Sequence, residues 1–220
     1  SFYLAKAGLK VMALEASRPG AGASSRGAGI VRAFHHLPEE ASLAVLSLAT
    51  FRDWRAEVGG ASGYVPTGFL WLVGDDAVPE TARTVAEVTR IGAVAEIITP
   101  QTLASLQPHM ATKGIAAAVY EPDGGYGDPM LATASLHAAA ARFGAELCND
   151  VEGARLRRQG DRIVGVDTAA GYVPAGTVVL AAGPWSAALA ADAGVTLPVV
   201  PTRMTTGTIR YEPFATAPMT

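Results

Sequence analysis

Residues 10–32 read KVMALEASRPGAGASSRGAGIVR. The first six, Lys10 to Glu15, form a short apolar run closed by an acid, the pattern of a buried parallel strand. The next stretch, from Ala16, is rich in Gly, Ala and Ser, and no periodicity survives in it, so it reads as a loop. An acid at the end of the second strand of a βαβ unit points at the ribose of a dinucleotide and accepts its hydroxyl hydrogen bonds. An ordinary exposed glutamate after a strand would look the same. The small residues of Gly20 to Arg32 let backbone N–H groups approach a phosphate or a flat ring. Ser24, Ser25 and Arg26 add donors, and Ile30-Val31-Arg32 closes the loop on an apolar step ending in a cation.

Working outward, residues 1–8 read as a helix stopped by Gly8. A helix is expected from Pro38 to about Glu57, with acids in its first turn, ended by Gly59-Gly60. Strands are expected at 67–73, 95–99 and 114–120, and helices at 79–92 and 100–106. Pro122 to Gly127 reads as a turn-rich loop. Asp128 is placed to cap a helix from Pro129 to Phe143, with Gly144 after its end. A strand at 145–148 follows. Residues 151–159, 162–168 and 172–175 read as a three-stranded meander. Thr177 to Leu180 reads as a β-branched strand running into Ala181-Ala182-Gly183, followed by a helix at about 185–193. Residues 199–211 read as one or two strands. Small residues at a strand–helix crossing permit contact between backbone and cofactor, although tight turns of this kind are common.

Short strands alternate with helices at the beginning and the end of the sequence, and the middle mixes them differently. That suits a parallel α/β domain interrupted by an inserted α+β domain. The expected boundaries are 1–60 with 128–198 for the first domain and 61–127 with 199–220 for the second.

Composition narrows the function. Of the 220 residues, 50% are hydrophobic and 17% charged, so a folded core is expected. The net charge of −3, with no Lys/Arg stripe, gives no reason to expect a nucleic-acid partner. The single cysteine, Cys148, excludes an intramolecular disulfide and fits a cytoplasmic protein. No apolar run approaches the roughly 20 residues of a membrane span. The four histidines show no metal-ligand spacing with an acid, so no metal site is expected. His35 and His36, close after Arg32, read equally well as proton carriers and as a solvated pair. Of Tyr64, Phe69, Trp71, Tyr120 and Tyr126, most are expected in the core of the inserted domain, with one or two lining an apolar pocket. Phe51 and Trp54 read as packing residues.

Three segments in order carry more than any one alone: ALEASRPGAGASSRGAGIVR, then EPDGGYGDPMLATASLHAAAARFGAEL, then IVGVDTAAGYVPAGTVVLAAGPWSAALAADAGVTLPVVP. Together they resemble the FAD-dependent family that includes D-amino-acid oxidase, glycine oxidase, sarcosine oxidase and dimethylglycine dehydrogenase. The resemblance implies an FAD-binding Rossmann-like domain, discontinuous in sequence, with an inserted substrate domain. It implies that Glu15 is the ribose-binding acid and that Ser24, Ser25, Arg26, Ala28 and Gly29 pass over the pyrophosphate and the flavin. It also implies that the backbone of Val151 meets the adenine and that Ala181, Ala182, Gly183 and Trp185 form a second cofactor motif. Arg32 sits where sarcosine-oxidase-like members place an arginine near the substrate carboxylate.

The implied reaction is oxidation of the C–N bond of an amino acid or N-methyl amino acid by hydride transfer to flavin, the imine then hydrolysing. The alternatives are a flavin dehydrogenase of a hydroxy acid or polyol, and a non-catalytic FAD-binding subunit of a larger complex. An oligomer or an electron-accepting partner is compatible with each. The family's glycine fingerprint would end about 4 residues before Ser1, given a βαβ unit of ~30 residues. SFYLAKAGLK reads as the end of a helix and YEPFATAPMT as no terminal element. The expectation is therefore an internal fragment, truncated at both ends and inactive as it stands.

Overall fold

The computed structural model describes residues 1–202, Thr205 and Gly207. In chain order the strands are β1 (Met12–Leu14), β2 (Ile30–Val31), β3 (Phe69–Val73), β4 (Glu96–Ile98), β5 (Ala117–Glu121), β6 (Gly125–Tyr126), β7 (Glu146–Cys148), β8 (Arg155–Gln159), β9 (Arg162–Thr168) and β10 (Gly171–Pro174). The helices are α1 (Phe2–Lys6), α2 (Pro38–Arg52), α3 (Trp54–Glu57), α4 (Val78–Ile91), α5 (Pro100–Leu106), α6 (Pro129–Arg142) and α7 (Ser186–Ala191). Single 3-10 turns lie at Ser24–Arg26, Asp75–Ala77 and Gly183–Trp185. The chain falls into two compact units, Ser1–Arg26 with Leu136–Gly207, and Gly27–Ser135, the boundary passing within α6.

In the first unit, α1 stops where Gly8 takes a φ of +82° and its N–H turns back to the Ala5 carbonyl. A side chain would resist that left-handed backbone. The apolar run after it becomes β1, which pairs in parallel with β7, Met12 opposite Glu146 and Leu14 opposite Cys148. Phe2 is buried, its ring 5.9 Å from that of Phe143. The meander forms an antiparallel sheet in the order β10-β9-β8. Arg157 reaches across it to Asp167 and lies over the Tyr172 ring at 4.0 Å.

In the second unit, β3, β5 and β4 form an antiparallel sheet with β5 in the middle. Successive side chains of a strand point to opposite faces, and here both faces are covered. Ala117 and Val119 of β5 join Val73, Val88, Leu48 and Phe34 in one core cluster. Ala118, between them, packs with Leu70, Ile98 and Leu103 in another. With both faces of β5 packed over, there is little room for large side chains at Ala117 and Ala118.

Several expectations are corrected. The helix from Pro38 breaks at Asp53, whose φ of −111° and ψ of 32° leave helical geometry, so α2 and α3 are separate. Phe51 and Trp54 do pack, their rings stacked at 5.1 Å. The loops at 16–32 and 122–127 each contribute a two-residue strand, β2 and β6, paired antiparallel. Residues 151–154 precede the meander without joining it. Thr177 to Leu180 pairs with no strand among the described residues. Its β-branched composition favours extended backbone, but a strand also needs a neighbour to take its hydrogen bonds. Residues 199–202 form no strand, and the rest of the expected 199–211 strands lies largely outside the described residues. By packing, residues 27–60 fall in one compact unit with the 61–127 stretch.

Asp128 caps α6 through Oδ1, which accepts the N–H groups of Met130 at 2.8 Å and Leu131 at 3.0 Å. Asp128→Ala should cost about 1 kcal/mol of stability in urea unfolding, and Asp128→Asn, which keeps the acceptor, should recover most of it.

Candidate cofactor-binding segments and the Arg32 seat

Glu15 follows β1 directly. Its backbone N–H donates to Cys148 O at 2.9 Å and extends the parallel pairing by one residue. One carboxylate oxygen, Oε1, accepts the Ser17 N–H at 3.0 Å, which holds the half-buried side chain at the strand's end. The Val151 N–H donates to the Glu15 carbonyl at 3.0 Å. The structure thus brings together two candidates 136 positions apart in sequence, since 151 − 15 = 136.

The Gly-rich loop makes its 3-10 turn at Ser24–Arg26, with Ser24 and Arg26 exposed. A Cβ at Gly22 would lie 3.8 Å from the Trp185 ring, so the loop and the third segment adjoin. Trp185 is 60% exposed, a large apolar face open to a ligand. Ahead of it, Ala181 is exposed, Ala182 half-buried and Gly183 left-handed at φ +53°. These carry no side chain that would keep a ligand away from the backbone.

Ala28 and Gly29 belong to the second unit. Gly29 has a φ of +69°, and a Cβ there would collide with the Gly127 carbonyl oxygen. Gly127 N–H donates to Gly29 O at 2.7 Å, and β2 and β6 then pair Ile30 with Tyr126 and Val31 with Gly125. Beyond β2 stands Arg32. Its guanidinium lies 5.1 Å from the Phe69 ring centroid and 5.2 Å from that of Trp71, within the ~6 Å reach of cation–π attraction. Phe69 and Trp71 are two apart on β3 and so share a face. Among the described residues no carboxylate lies within ion-pair distance of the guanidinium. A cavity of about 310 Å³, lined in part by Gly29, Val31, Arg32, Phe51 and Asp128, adjoins this segment.

The sequence reading missed Glu121. This carboxylate is 1% exposed. Oε2 accepts the Ala33 N–H at 2.7 Å and Oε1 the Phe34 N–H at 2.9 Å. Burial pushes its pKa up, while the two N–H groups and the Arg32 charge pull it back down. The available signal was parity: Glu121 lies on the same face of β5 as Val119 and Ala117. His35 Nδ1 sits 3.3 Å from Glu40 Oε2. Burial and then Arg32 lower the His35 pKa, which favours its neutral form. His36 packs edge-on to Trp71 at 5.3 Å and to Phe34 at 5.4 Å. Among the described residues no three His, Cys, Asp or Glu side chains are grouped to hold a metal, and no helix is long and apolar enough to cross a membrane.

The profile of the family described as FAD dependent oxidoreductase matches residues 1–219, and the chain belongs to that family. Among curated relatives it is 34% identical over 180 residues to a D-amino acid dehydrogenase of Paramagnetospirillum magneticum, covering 80% of this chain and 43% of that one. It is 31% identical over 211 residues to the glycine oxidase of Geobacillus kaustophilus, covering 92% and 55%. Its α/β fold superposes on the crystal structure of L-proline dehydrogenase from P. horikoshii with a TM-score of 0.80 and 26% identity, covering 88% of this chain and 52% of that one. The chain thus spans about half the length of these relatives.

Glu121 makes a pH prediction. Its ordinary carboxyl pKa is 4.5 and the folded value is higher. Between the two the folded state holds the proton more tightly, so the stability owed to this group falls as pH rises through that window and levels off above it. Glu121→Gln does not titrate. The unfolding free energy of the native protein minus that of Glu121→Gln should therefore decline across the window in urea titrations. A difference that rises with pH would contradict burial as the dominant cause.

Proposed function

We propose that the protein is an FAD-dependent enzyme that oxidises the C–N bond of an amino acid or N-methyl amino acid, with Arg32 holding the substrate carboxylate. The observation that carries the reading is the Arg32 seat: a cation held over two aromatic faces, with no carboxylate partner among the described residues. Guanidinium forks match carboxylates in plane and charge. The relatives' names, D-amino acid dehydrogenase and glycine oxidase, concern substrates that carry a carboxylate beside an amine.

The dinucleotide falls to the remaining candidates. Glu15 keeps Oε2 free for ribose hydroxyls while Oε1 is tied to Ser17. Ser24, Ser25 and Arg26 offer donors to the pyrophosphate, and Ala28 and Gly29 let the chain pass close to the ring. Val151, already bonded to Glu15, presents its backbone to the adenine. Ala181, Ala182, Gly183 and Trp185 offer a side-chain-poor surface and an exposed indole. These residues fit the group by their donors and their lack of bulk. FAD, when bound, supplies the two-electron sink for the oxidation. The chain's own part is to bind, to orient the substrate by its carboxylate and to exclude water. In this reading 1–60 with 128–198 serves the cofactor, with Arg32 of that part also reaching the substrate, and 61–127 with 199–220 serves the substrate.

Arg32→Met in the full-length protein should raise KM for a carboxylate substrate roughly 10- to 100-fold, the worth of hydrogen bonds to a charged group, while the yellow flavin absorbance stays. An unchanged KM sinks the role. Glu15→Ala should weaken FAD binding about tenfold, read as flavin fluorescence released on dilution; equal retention would remove Glu15 from the cofactor site.

A further inference from the structure

Glu121 and Phe69 are direct partners across the β5–β3 pairing. Opposite residues of an antiparallel pair project from the same face. The aromatic floor under Arg32 and the buried carboxylate are therefore side by side, at one register of one sheet. Both oxygens of that carboxylate are taken up by the two N–H groups that follow Arg32. Ala33 and Phe34 are themselves 0% exposed, so no water could replace the acceptor.

We propose that Glu121 is a positioning residue for Arg32: its buried carboxylate clamps the Ala33 and Phe34 amides and thereby fixes the backbone that seats the guanidinium over Phe69 and Trp71. This rests on the proposed role of Arg32 in holding a substrate carboxylate. The chemistry explains why the residue is Glu. Two adjacent N–H groups need a two-oxygen acceptor. Gln offers one oxygen and turns an NH2 group against the other amide, and Asp is a methylene shorter. Because the oxygens face the backbone, Glu121 attracts Arg32 through space without consuming its donors. A direct ion pair would occupy the fork that the substrate needs. The clamp also holds a rigid support for a residue that must meet its ligand within a fraction of an ångström.

The test uses the full-length flavoprotein with propionate as a carboxylate probe, its binding read as competitive inhibition and as perturbation of the flavin spectrum. Glu121→Gln should weaken propionate about tenfold, raising KM for a carboxylate substrate more than it changes kcat. In an Arg32→Met background the same change should add less than about twofold, because the two residues act through one contact. Full additivity, or unchanged propionate binding in Glu121→Gln, overturns the positioning role. If instead Arg32→Met alone leaves propionate binding unaltered, it is the Arg32 reading that fails.

Should Glu121→Gln not fold, hydrogen exchange in the unmutated protein takes its place. Coupling is reciprocal, so propionate should slow exchange at the Ala33 and Phe34 amides, saturating with the inhibition constant. Exchange there that ignores propionate overturns the proposal.

Discussion

A carboxylate removed from water is costly unless it is met by charge-assisted hydrogen bonds. Glu121 meets two, and both come from a segment 87 and 88 residues earlier in the chain. That pairing ties the end of β2 to the end of β5. It places Ala33 and Phe34 in the core beside Val119 and Ala117, and it orders the peptide from which Arg32 projects. Without it, two buried N–H groups and one buried charge would be left unmatched. The pairing of β2 with β6, with Gly29 admitting the Gly127 carbonyl and Gly125 the Val65 carbonyl, is the other half of the same joint.

In the first unit the organising contact is smaller. One parallel pair, β1 with β7, ends in Glu15, and the backbone carbonyl of that residue receives Val151. Small residues around Gly22 and Gly183 leave the backbone accessible near Trp185. In the proposed function the separation of tasks is chemical: donors and bare backbone for a phosphate-bearing cofactor, a seated cation for an anionic substrate.

Much of the architecture was legible in the residues. α4 is announced by Pro79 and closed by Gly92, and α6 by Asp128-Pro129 and Gly144, because caps and breakers act through local backbone chemistry. The meander was legible from its turns at Gly160-Asp161 and Ala170-Gly171. The misread strands have one cause. β2 and β6 are strands only because they find each other, and Thr177 to Leu180 is not a strand because no described segment pairs with it. Two residues carry no periodicity to read.

The sequence by itself determined the α/β character, the positions of most helices and the family. These depend on local propensity, on spacing and on motif order. Tertiary structure alone decided that Arg32 rests on Phe69 and Trp71, that Val151 joins Glu15, and that Glu121 holds the peptide beyond Arg32. Each is a contact across tens of residues, set by strand register. Register emerges only when both partners are folded, because a slip of one residue would turn Glu121 to the opposite face of its sheet.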